Sequence, residues 1–152
     1  MNDEEYFKEG EQRNVYISRH NRYTPAFLHR HNFFEIVFVY HGTCTQNIGT
    51  TRKHFSEGDV IFIAPGIYHT IEVFQDQAVV FNILIQQKTF HQMFLPLASG
   101  NNLQSQFFKE GLYNQHRLEY LVYHTQDSWK SFVLKMYYEH LNHDAFSDQI
   151  LI

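Results

Sequence analysis

The sequence predicts a mainly β protein: a β-barrel or jelly roll over about residues 12–87, followed by C-terminal α-helices. Three observations predict it. Short β-branched and aromatic runs recur between residues 15 and 86, with turn residues between them. The period changes from strand-like to helical near residue 88. The chain has 152 residues, 43% of them apolar, which is the length of one domain able to bury a core.

The elements follow in order. Residues 1–11 are polar and form a loose N-terminal segment. Val15, Ile17 and Tyr23 suggest a first strand or two before Pro25. Phe34–Tyr40 is β-branched and aromatic at successive positions, as in a strand covered on both faces. His41-Gly42 ends it. Thr43–Ile48 alternates, Gly49-Thr50-Thr51 turns, and Arg52–Phe55 returns as a hairpin. After the turn Ser56-Glu57-Gly58-Asp59, Val60–Ala64 is apolar and Pro65-Gly66 turns it again. His69–Phe74 and Ala78–Gln86 complete the β series. Residues 88–152 form a helical extension. Phe90, Met93, Phe94 and Leu97 have helical spacing, limited by Pro96 and Gly100. Residues 101–123 are ambiguous, with a short helix over 103–109 and an apolar stretch at 120–123. The clearest helix spans 128–141, where Trp129, Phe132, Val133, Met136, Tyr137, His140 and Leu141 recur at helical spacing. Asp127 or Ser128 can cap its start. Phe146–Ile152 looks like the opening of a further helix, and an end on Ile150-Leu151-Ile152 suggests a chain cut from a longer one.

Charge narrows the function classes. The formal net charge is −4 and the pI about 6.2. Binding to DNA or RNA through this segment is disfavoured, because phosphate contacts need clustered Lys and Arg. The single cysteine, Cys44, forms no intrachain disulfide, which fits a reducing, cytoplasmic setting. The acidic N-terminus has no signal-peptide core, and the apolar run Ala78–Ile85 is too short to span a bilayer.

The chemistry concentrates in His29-Arg30-His31-Asn32-Phe33-Phe34-Glu35. Side chains at i, i+2 and i+6 of a strand share one face, so one strand, or a strand with a shallow bend, can aim His29, His31 and Glu35 at one point. His69 follows the Pro65-Gly66 turn. Three histidines and a glutamate suit one divalent metal ion: Zn, Ni, Mn or Fe(II). They equally suit a buried hydrogen-bonded cluster without an ion, and both readings stay open. Asn82 interrupts an apolar strand, either as a satisfied core amide or facing a pocket. Tyr40, Phe33 and Tyr68 are packing rings that can line the same cavity. Arg30 should face outward, and Cys44 reads as a small buried residue.

His29-x-His31-x3-Glu35-x6-Gly42 resembles the first cupin motif, and Gly58-x7-Gly66-x2-His69 resembles the second. The sequence departs from the pattern at Tyr23, where a glycine is expected, at Pro65, one place late, and at Val73, where an asparagine is expected. A cupin barrel followed by helices is similar to the N-terminal domain of AraC-type transcription regulators. The resemblance covers about residues 12–141. It implies a small-molecule-sensing, dimer-forming domain whose ligand (a sugar or other metabolite) binds inside the barrel. His29, His31, Glu35, His69, Tyr40 and Asn82 would then contact that ligand. DNA would be bound only by a C-terminal domain that this chain lacks, and no membrane is involved. The alternative is a stand-alone metal-dependent cupin enzyme of dioxygenase or isomerase type. Helices after the barrel favour the non-enzymatic regulator. Trp129, Phe132, Val133, Met136 and Tyr137 form the expected homodimer interface; the competing reading packs the stripe on its own barrel.

Overall fold

A computed structural model describes residues 15–23, 28–30, 32–94 and 119–142. The expected loose segment at 1–11, His31, the short helix at 103–109 and the helix opening at 146–152 lie outside the described residues. Eight strands are described: β1 (Val15–Arg19), β2 (Phe34–His41), β3 (Thr43–Ile48), β4 (Thr51–Ser56), β5 (Asp59–Ile63), β6 (His69–Glu72), β7 (Val79–Ile85) and β8 (Tyr120–His124). Two helices join them, α1 (Gln87–Phe94) and α2 (Ser128–Leu141). All strand pairs are antiparallel, in a five-stranded sheet of order β1-β7-β2-β5-β8 and a three-stranded sheet of order β4-β3-β6.

Period-two patterning explains the two layers. Val37 and Val39 of β2, Ile61 and Ile63 of β5 and Val80 of β7 face the smaller sheet. There they meet Cys44, Ile48, Phe55 and Ile71 in one buried cluster. The alternate residues Phe34 and Phe38 of β2, Val60 of β5 and Phe81 and Ile83 of β7 pack on the opposite face, against Val133 of α2. β2 is therefore covered on both sides, as its unbroken apolar run requires. The fold is mainly β, a cupin-like pair of sheets with a C-terminal helix on its outer face.

Gly42 shows why the β2–β3 connection needs glycine. Its φ is +77°, and a Cβ there would lie 2.9 Å from the Ala78 Cα. Tyr23 presents the opposite case. It stands where the cupin pattern expects glycine, and its φ is +59°. The left-handed turn is kept without glycine. The Tyr23 hydroxyl donates to Asp76 at 2.5 Å, and its ring stacks on Phe74 with centroids 6.3 Å apart. Two long-range contacts thus hold a conformation that costs about 1–2 kcal/mol for a side chain with a Cβ. Tyr23 belongs to this turn, not to a strand.

Two elements differ from the sequence-based expectation. The apolar stretch at 120–123 is a strand: β8 pairs with β5 along Asp59↔His124 to Ile63↔Tyr120. The sheet therefore takes a strand from beyond residue 87. Local pattern could not reveal this, because the partner is about sixty positions away in sequence. Asp127 occupies the N-cap of α2 without a side-chain capping bond. Among the described residues no helix is long and apolar enough to cross a membrane.

Candidate functional site

Glu35 projects from β2 into the space between the sheets, where it is 5% exposed. His69 opens β6 on the facing sheet and is 2% exposed. Its Nε2 lies 2.6 Å from Glu35 Oε2, and its Nδ1 donates to the Ile67 carbonyl at 2.9 Å. His29 arrives by a different route from the one its spacing suggests. It is not on the strand that carries Glu35. It forms an isolated bridge with His69, with His29 N donating to His69 O at 3.1 Å and His69 N to His29 O at 2.9 Å. The two imidazole centroids are 4.3 Å apart. The chain bends at Asn32-Phe33 before β2 begins, so His29 and Glu35 do not lie on one continuous strand. The three groups meet across the two sheets instead. Of the four expected ligand residues the structure brings together His29, Glu35 and His69; His31 lies outside the described residues.

Burial disfavours a charge on His69, but the Glu35 charge, the Glu35 hydrogen bond and the Ile67 carbonyl outweigh it and raise its pKa above the ordinary histidine value. With Nδ1–H held by Ile67, Nε2 is the atom left to face Glu35. The same tautomer presents Nε2 to a metal, with the carbonyl as the orienting partner. One nitrogen from each histidine and one Glu35 oxygen lie within 4.8 Å of one another. That fits an open three-ligand site for Zn, Ni, Mn or Fe(II), provided the Glu35–His69 contact opens around the ion and His69 gives up its proton.

Asn82 faces the same interior. On β7 it lies opposite Val37, two residues along the inner face from the Glu35↔Leu84 pair. Its amide nitrogen donates to His20 Nδ1 at 3.2 Å, while its Oδ1 is buried with no hydrogen-bond partner. Tyr40 does not share this interior. It lies an odd number of positions from Glu35 on β2, so it faces α2 and packs edge-on against Phe38 and Phe81. Of the other rings, Phe33 is buried with Leu84 and Tyr68 is exposed beneath the Arg30 guanidinium.

Sequence reasoning missed two interior polar groups. Gln46 on β3 is fully buried, and its amide makes no hydrogen bond beyond a weak contact with the Cys44 thiol. The available signal was its parity with Cys44 and Ile48. His20 continues β1, its amide donating to Val80 O at 2.8 Å, and its Nε2 is buried without a partner. Burial lowers its pKa, against the pull of Glu35, so it is a neutral imidazole at pH 7. Burial also pushes the Cys44 thiol up to about 12, which suits the structural role expected of it. Buried amides and imidazoles without partners take ordered water or a ligand.

The expected dimer stripe is divided by the fold. Val133 is 1% exposed within the chain's own core, and Met136 and Tyr137 pack against the same cluster. These three residues serve the outer face of the five-stranded sheet, so Val133 is out of reach of a second copy. Trp129 and Phe132 stay on the outside, 45% and 60% exposed, with their rings edge to face.

The family model described as AraC-like ligand binding domain matches residues 14–109. No curated protein sequence matches the chain. Among solved structures, an apo single-substitution form of ToxT from Vibrio cholerae aligns with a TM-score of 0.58 and 10% identity, over 82% of this chain and 47% of that one. ToxT with a bound unsaturated fatty acid aligns with a TM-score of 0.55 and 11% identity, over 90% and 49%. ToxT bound to (E)-4-(8-methylnaphthalen-1-yl)but-3-enoic acid gives 0.54 and 10%, over 90% and 51%. The chain spans about half the length of the ToxT chains it matches. At such identities the likeness is one of fold.

Proposed function

Because the chain belongs to the AraC-like ligand binding domain family, we propose that it is the effector-binding part of a cytoplasmic transcription regulator, without enzymatic activity of its own. A sugar or other metabolite enters the space between the sheets, and DNA is bound by a domain outside this chain. The observation that carries this reading is the polar group His29, Glu35 and His69, held between two sheets that otherwise bury aliphatic and aromatic residues. Asn82, His20 and Gln46 add hydrogen-bonding atoms that the protein leaves unsatisfied. Such a constellation orients a small polar molecule. The acids carried by ToxT in the matching structures support a ligand-binding use of the same fold.

A homodimer through the outer face of α2, centred on Trp129 and Phe132, suits a regulator that grips two half-sites. The metal-enzyme reading rests on the three converging donors. His29, Glu35 and His69, with His31 by its sequence spacing, would hold a divalent ion able to act as a Lewis acid. One experiment separates the two readings. Thermal shift of the metal-stripped chain is measured against a metabolite set, with and without Zn, Ni, Mn or Fe(II). A sensor is stabilised by a metabolite whether or not metal is added. Stabilisation by metal alone, lost in Glu35→Gln, favours the enzyme.

A further inference from the structure

The β4–β5 turn, Ser56–Asp59, crosses from the three-stranded sheet to the five-stranded one, at the other end of β5 from the Glu35↔Ile63 pair. Several elements meet on it. The Ser56 amide donates to Asp59 Oδ2 at 2.8 Å and closes the turn. The Gly58 amide donates to Val39 O of β2 at 2.9 Å, which ties the turn to the larger sheet. The Gly58 carbonyl accepts two bonds from Thr125, from its amide at 2.8 Å and its hydroxyl at 2.7 Å. Asp59 Oδ1 lies 3.0 Å from His124 Nδ1 at the end of β8. The Glu57 carboxylate holds Lys130 of α2, and His41 at the end of β2. Gly58 has a φ of +93°, and a Cβ there would stand 3.1 Å from both His124 Cε1 and the Thr125 carbonyl oxygen. The turn and the β8–α2 link are thus as close as a glycine permits. Only Thr125, Gln126 and Asp127 separate β8 from α2. Further along, Val133, Met136 and Tyr137 meet the sheet through apolar contacts, which are non-directional and let a packed helix slide.

We propose that this junction couples the interior to α2. An effector bound between the sheets changes their spacing, the β4–β5 turn moves with them, and the turn carries the start of α2. The inference rests on the effector-sensing reading and specifies how the bound state leaves the barrel. A turn that joins two sheets cannot stay in place when the sheets move relative to each other. Its bonds to the helix side are of unequal weight. Glu57 is 44% exposed, so its ion pair with Lys130 is screened and weak by itself. The two bonds from Thr125 to one partly buried carbonyl are directional and carry most of the restraint. Trp129 and Phe132 stand on either side of Lys130, in the first turns of α2. A displacement of the helix start therefore reaches the exposed rings directly.

The chain has one tryptophan, so the Trp129 indole N–H gives a single cross-peak in nuclear magnetic resonance and reports the start of α2 without any ligand. Ile71→Ala and the milder Ile71→Val shrink the buried cluster between the sheets. Thr125→Val/Lys130→Met loosens the junction and leaves the turn and the interior unaltered. The expected result is a shift of the Trp129 peak that grows from Ile71→Val to Ile71→Ala in the native background and is lost in the loosened one. Circular dichroism checks that each variant is folded, and Ile71→Val with Lys130→Met alone gives the same comparison where the larger changes unfold the chain. Absence of a shift in the native background overturns the proposal. A shift of equal size in the loosened background overturns it too, and assigns the coupling to the apolar face of α2. The metabolite thermal shift tests the sensing reading separately. A metabolite that stabilises the chain and moves the Trp129 peak equally in both backgrounds overturns the junction and leaves sensing standing. A screen in which no metabolite stabilises the chain removes the sensing reading and with it this route for an effector signal.

Discussion

At the scale of single residues, the Glu35–His69 pair dominates the interior. An imidazole and a carboxylate out of water are tolerated only when each is paired and further hydrogen-bonded. Here the 2.6 Å contact and the Ile67 carbonyl supply that pairing. Removing one partner leaves the other desolvated. Glu35→Ala is expected to lower stability by about 3–5 kcal/mol at pH 7, measured by urea unfolding. A loss below about 1 kcal/mol would show that water or a neighbouring group already takes over the role of the carboxylate. Tyr23 belongs to this scale as well: one residue holds a glycine conformation through a hydroxyl and a ring contact that glycine could not make.

At the scale of elements, α2 is the helix whose position matters. Its inner face supplies Val133, Met136 and Tyr137 to the sheet. Near its start, Lys130 forms an ion pair with Glu57 of the β4–β5 turn, and His41 adds a contact to the same carboxylate at 3.0 Å. The Lys130 hydrogen bond, with the His41 bond second, depresses the Glu57 pKa below its ordinary 4.5. The folded protein thus binds fewer protons at Glu57 than the unfolded chain does. Its contribution is complete above about pH 4.5 and is lost as pH falls through the lower native value. The group is solvent-exposed, so the effect is local and screened by salt. Trp129, next to Lys130 and itself half-exposed, should report it as a fluorescence change below pH 4.5. That change should be absent in Glu57→Gln. A change of the same size in the variant would assign the transition to another carboxylate.

At the scale of the whole molecule, a mainly β chain with one helix on its outer face leaves large apolar rings uncovered. Trp129, Phe132 and Tyr138 are each at least 45% exposed. Aromatic rings of this size are enriched in interface centres. If two copies associate through them, Trp129→Glu/Phe132→Glu should convert a dimer into a folded monomer in sedimentation velocity. Because neither residue belongs to the core cluster, the variant should keep a wild-type Tm apart from the loss of association. A wild-type chain that is monomeric at high concentration would remove this face from the assembly.

The amino-acid sequence by itself determined the succession of strands up to residue 86, the double-sided burial of β2 and the position of α2. Each follows from local information: side-chain period and turn chemistry. It also singled out His29, Glu35 and His69 as candidates, and the structure brings their donor atoms within 4.8 Å of one another. The tertiary structure decided the rest, because it depends on pairing between distant segments. It set His29 against His69 across a bridge rather than along the strand of Glu35. It turned Tyr40 to the helix side, recruited residues 120–124 as a fifth strand and divided the α2 stripe between buried and exposed residues.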